Sequence, residues 1–153
     1  MTKILLSLHV LAAILAVGPV TVAASMFPAT LRRTTGDRDG ARTTLQTLHR
    51  ICRVYAGIGI AVPVFGFATA SSLGVLGDAW LITSIVLTAA AAGILILLIL
   101  PGQDRALTGT AAPAETSAPA AARRLAMATG VFNLLWATVT VLMIIRPGST
   151  TGA

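Results

Sequence analysis

The chain reads as an all-α integral membrane protein, a four-helix bundle with both termini outside. Three observations predict this. First, 56% of its 153 residues are hydrophobic and 10% are charged, with a mean hydropathy of +0.87. A soluble domain of this size needs more charge to cover its surface. Second, four apolar runs each reach the length of about 18 residues that spans a bilayer. Third, the basic residues are unevenly placed. Arg32, Arg33, Arg38, Arg42, Arg50 and Arg53 lie between the first two runs, and Arg105, Arg123 and Arg124 lie between the last two. The link "SSLGVLGDAW" has none, and only Lys3 and Arg146 lie near the ends. Loops rich in Lys and Arg stay cytoplasmic. Both longer loops are therefore expected inside a bacterial plasma membrane, with both termini extracytoplasmic.

Span one is expected from about Ile4 to Leu31. A cleaved signal is the competing reading, with Lys3 as its basic start and Val22-Ala23-Ala24 as the cleavage site. Cleavage there leaves the arginine-rich loop outside, and the apolar run continues past it, so the span is expected to be retained. "FPATLRR" marks its cytoplasmic exit, and "TTGDRDGART" reads as a polar turn. Span two is expected from Leu48 to Leu73 with an amphipathic lead-in from Thr43. Leu45, Leu48, Ile51 or Cys52, and Tyr55 form its apolar stripe, with Arg42, Gln46, His49 or Arg50, and Arg53 opposite. Asp78 is placed to cap span three and Trp80 to anchor it at the interface, over 80–100. Pro101-Gly102 is expected to end that span. Residues 102–122 are rich in Ala, Pro, Thr and Gly and read as a flexible cytoplasmic linker. Span four covers 125–145. The whole chain is expected to be one transmembrane domain.

Small residues recur at close spacing in each span: Ala12 with Ala16, Gly66 with Ala70, Ala89 with Ala92 or Gly93, and Ala126 with Gly130. Such pairs let membrane helices approach closely. The net charge of +6 fits membrane topology and anionic lipid head groups rather than nucleic acid. Arg32, Arg33, Arg42, Arg50 and Arg53 are the head-group candidates. Cys52 is the sole cysteine, so an intramolecular disulfide and a cysteine metal cluster are excluded.

His9 and His49 are the only histidines. With this topology they lie roughly 25–30 Å apart along the membrane normal, at 1.5 Å per residue. They cannot share one haem or one metal. A soft pair of His9 with Met143, at similar depth, leaves a haem or copper site open, although no cofactor is predicted. Packing is the simpler role for His9: it falls on a small-residue face with Ala13 and Ala16 and is expected to bond to a neighbouring helix. Pro19 and Pro63 each remove a backbone bond near mid-membrane, so two kinked helices can frame a cavity. Thr129, Asn133, Trp136 and Thr140 form a polar stripe on span four that is expected to face another helix, as part of the bundle's core or as a hydrophobic-ligand site; His9, Pro19, Pro63, Asn133 and Trp136 are the ligand-binding candidates. No span holds an acidic residue, and no phosphate-binding glycine loop is present. Catalysis is therefore not evident.

The stretches "LHVLAAILAVGPVTVAASMFP" and "LHRICRVYAGIGIAVPVFG" resemble a family of small bacterial four-span membrane proteins of unknown function. The resemblance rests on Leu8-His9, Gly18, Arg50, Arg53 and Tyr55. Leu8-His9 and Gly18 are also faintly similar to the membrane domain of copper-resistance D proteins. "MFPATLRR" with "LQTLHR" is similar to proteins grouped with anthrone oxygenases, whose second motif has asparagine where His49 stands. The chain is therefore expected to be a structural or accessory membrane protein that works as a homo-oligomer or within a larger membrane complex. The alternative is a haem- or copper-linked redox protein, or a hydrophobic-ligand-binding protein, built on His9.

Overall fold

The computed structural model describes residues 2–33, 38–109 and 117–148, all helix and short turns. The helices are α1 (Thr2–Arg32), α2 (Arg38–Ile58), α3 (Ala61–Leu73), α4 (Ala79–Ile94), α5 (Leu100–Thr108) and α6 (Ser117–Ile145), with a π-helical turn at Leu95–Ile99. Among the described residues four stretches are long and apolar enough to cross a membrane: Thr2–Arg32, Asp39–Leu73, Ala79–Thr108 and Pro119–Ile145. No more than 22% of the most apolar window of any span is buried by protein. The remaining apolar surface needs lipid.

The bundle buries several alanines at its helix contacts and leaves many large apolar side chains facing outward. Ala16, Ala23, Ala24, Ala91 and Ala122 are buried, whereas Ile14, Leu15, Phe67, Leu97 and Ile144 are exposed. That distribution suits a solvent as apolar as leucine, where close helix approach rather than hydrophobic burial drives assembly. Helix α1 packs against α2, α3 and α6, and α6 packs against α4. Phe27, Leu45, Leu48, Cys52, Leu95, Ile99 and Leu125 join these helices in one core.

Helix α1 runs unbroken through Pro19 and Pro28. Span two instead breaks before its proline. Helix α2 ends at Ile58, and α3 starts at Ala61. Pro63 has no N–H to offer the Gly59 carbonyl. The Val62 N–H takes that carbonyl instead, at 3.1 Å. A Cβ at Gly59 would press on the carbonyls of Ala56 and Tyr55 at 3.1 and 3.3 Å, so glycine suits this tight turn.

Span three differs from the sequence expectation at both ends. Asp78 makes no side-chain cap bond. Its carboxylate accepts from Trp80 Nε1 at 3.0 Å instead. Trp80 is buried, with the Arg146 guanidinium 5.7 Å from its ring centroid. At the other end Pro101-Gly102 does not stop the helix. The Leu100 N–H reaches back to the Leu95 carbonyl, and Pro101 then occupies the first turn of α5. A missing N–H costs little there. The expected flexible linker over 102–122 is thereby corrected: 102–108 and 117–122 are helical, and 110–116 lie outside the described residues. The expected polar turn is also shortened, since α2 already begins at Arg38; residues 34–37 lie outside the described set.

Gln103, assigned to that linker from sequence, is 1% exposed. His49 Nδ1 and Gln103 Oε1 are hydrogen-bonded at 3.1 Å, and Gln103 Nε2 donates to Cys52 Sγ at 3.6 Å. This group joins α2 to α5. Gln103→Ala should strand the buried side of His49 and lower stability by about 1–3 kcal/mol. Denaturant titration in mixed micelles measures that loss.

Candidate functional site

Spans two and three touch at their ends and separate in the middle. At the arginine-rich end they meet through His49, Cys52 and Gln103. At the opposite end Ala70 of α3 packs with Trp80 and Leu81 of α4. Between these points α2 and α3 make no extended contact with α4. A cavity of about 170 Å³ fills the gap.

The back wall is built by α1 and α6, through Ala16, Val17, Val20, Phe132 and Trp136. One side is the broken span, through Tyr55, Ala56, Gly59 and Pro63; the other is Thr88, Ala92 and Leu95. Ile60 and Ile96 also line it, and they are 66% and 57% exposed. Both sit mid-span, so the cavity opens sideways toward lipid rather than along the bundle axis. The break at Gly59 lies within this wall, between the last turn of α2 and the start of α3.

His9 lies outside the cavity wall and supports it. It is 9% exposed, and its Nδ1 bonds to the Val62 carbonyl at 2.9 Å. A carbonyl oxygen only accepts, so Nδ1 is the donor in this bond. Gly66 provides the notch for the ring: a Cβ there would lie 2.8 Å from His9 Cε1. Met143, the other metal candidate, packs with the Ala70, Trp80 and Leu81 cluster. Among the described residues no three His, Cys, Asp or Glu side chains stand together as a metal set.

The remaining candidates divide. Pro63 lines the cavity and Pro19 does not. On span four, Thr129 Oγ1 donates to the Ala24 carbonyl at 3.4 Å, and Asn133 Nδ2 donates to Ser25 Oγ at 3.4 Å. Thr140 departs from the expected stripe: it is exposed and bonds to its own helix, at the Trp136 carbonyl. A threonine satisfied by the preceding turn needs no neighbour. Asn133 Oδ1 and Trp136 Nε1 are buried without a hydrogen-bond partner among the described residues. They are an acceptor and a donor three residues apart on one helix, so a single hydroxyl group has the chemistry to serve both. The arginines Arg32, Arg33, Arg42, Arg50 and Arg53 are all exposed.

The predicted integral membrane protein family DUF2269 matches residues 3–147. The chain belongs to the DUF2269 family. That match covers all four spans and therefore the cavity and its supports. No curated protein and no solved structure matches the chain. The resemblance to copper-resistance D proteins finds no support in these comparisons. The function of the DUF2269 family is unknown, so its chemistry must be argued from the cavity itself.

Two features of this site escape sequence reading. The gap between spans two and three depends on which helices pair. Gln103, which closes one end of it, sits in a segment whose composition resembles a linker. Gly66→Ala should cost about 1–3 kcal/mol by overpacking, because the His9 ring must leave its bond to Val62. In a His9→Ala background the same change should cost far less, and a double-mutant cycle in micelles measures the coupling.

Proposed function

We propose that this protein is a non-enzymatic accessory protein of the bacterial plasma membrane that holds the apolar part of a membrane-dissolved amphiphile. The observation that carries this reading is the laterally open mid-span cavity. An apolar cavity of about 150 Å³ takes up a benzene ring, so this one has room for a ring or a short length of alkyl chain. Its wall carries apolar and aromatic side chains, and the Thr88 hydroxyl is already committed to the Ser84 carbonyl. Such a surface selects an apolar guest.

The test uses the two tryptophans. Trp80→Phe leaves Trp136, in the cavity wall, as the sole reporter. Lipid with bromine on its acyl chain should quench Trp136, and filling the cavity with Ala92→Phe or Ala92→Leu should weaken that quenching. Quenching that ignores both cavity-filling changes overturns the reading.

Exposed Arg32, Arg33, Arg42, Arg105, Arg123 and Arg124 gather at one end of the bundle. This supports an orientation with that end cytoplasmic, against anionic head groups, and both termini extracytoplasmic. A cysteine placed at exposed Gly77 should then react with a membrane-impermeant maleimide in intact cells. A cysteine placed at Asp104 should react only after lysis. The native Cys52 is 0% exposed and should stay silent in both.

A further inference from the structure

We propose that the occupant of the cavity is an anionic phospholipid whose phosphate is held by Arg53 while one acyl chain enters between spans two and three. This rests on the reading of the cavity as an amphiphile site and adds the recognition of the head group.

The first observation is position around the helix. His49, Arg53 and Ala56 are spaced by four and three residues on α2, which puts them on one face. His49 contacts Gln103 of span three, and Ala56 lines the cavity. Arg53 therefore stands on the flank of α2 that faces the opening, about 4.5 Å along the axis from the cavity wall.

The second observation is depth. Cys52 and Gln103 are in contact, so they share a level. Arg53 lies one residue to the bilayer side of that level, and Arg105 lies two residues to the other side. Three residues of rise make Arg53 about 4.5 Å deeper than Arg105. Gly102 abuts Leu125, which puts Arg123 and Arg124 on the outer side as well. Arg53 is thus the innermost of the described arginines at this end.

The third observation is charge. Arg53 is exposed, and it forms no ion pair among the described residues. A cation at this depth without a carboxylate partner calls for an anion. A guanidinium matches the geometry of a phosphate oxygen pair. The lipid supplies both halves: phosphate at Arg53, and chain carbons that continue inward past Ala56 to the Ile60–Ile96 opening.

The experiment places the Trp80→Phe protein in neutral micelles with brominated phosphatidylglycerol or brominated phosphatidylcholine of identical chains. The anionic lipid should half-quench Trp136 at about fivefold lower mole fraction, the effect of one basic residue near an anionic group. Arg53→Gln should remove that preference, and Arg53→Lys, which keeps the charge, should retain part of it. Bromine reports only the lipid's own chain, so free phosphate gives no signal. Equal quenching by the two lipids, still weakened by Ala92→Phe, overturns the head-group proposal and leaves the cavity reading standing. A preference that survives Arg53→Gln also overturns it. Quenching insensitive to Ala92→Phe overturns both.

Discussion

The bond from His9 to the Val62 carbonyl holds a broken span against its neighbour. Span two breaks at Gly59–Ile60, and the Val62 N–H takes the Gly59 carbonyl that Pro63 leaves without its usual donor. A break of this kind costs rigidity where the bilayer offers no water to satisfy loose backbone. One imidazole on α1, seated in the notch at Gly66, fixes α3 just beyond the break. The cavity wall inherits its position from that contact. A polar residue in the membrane here serves to place backbone, with no part in chemistry required of it.

The separation between spans two and three follows from how their ends are tied. Hydrogen bonds among His49, Gln103 and Cys52 hold one end. Packing of Ala70 against Trp80 and Leu81 holds the other. Direct bonding is strongest in a dry surround at the first tie, while the second lies where side chains can reach the interface. Between them α1 and α6 supply a continuous back wall, so the open side can face only lipid.

Much of the architecture was legible in the chain. Four runs of apolar residues and the asymmetric arginines define the spans, because bilayer thickness imposes a length and charge avoids hydrocarbon. That His9 and His49 do not meet was legible from helical rise alone: His9 bonds to Val62, thirteen residues along span two from His49. Local chemistry misled where backbone could adjust. Pro101-Gly102 reads as a stop, yet a π turn ahead of it puts the proline where no donor is needed. Asp78 reads as a cap, yet the Trp80 indole captures its carboxylate. Thr140 reads as part of a contact face, yet its own helix satisfies it. The cavity was legible only as two prolines at similar depth. One of them, Pro63, lines it; Pro19 does not. Which helices stand apart is a property of pairing, and no single span encodes that.

The π turn at Leu95–Ile99 also acts as a phase corrector. Ala91, Leu95, Ile99 and Gln103 are all buried, at strict four-residue intervals. In an uninterrupted α-helix such positions drift around the axis by about 40° per step. The wider turn cancels part of that drift and keeps Gln103 aimed inward. The turn therefore absorbs one extra residue. With one residue fewer, an ordinary helix would set Gln103 eleven positions from Ala91, about 20° around the axis, and the amide would keep its inward aim.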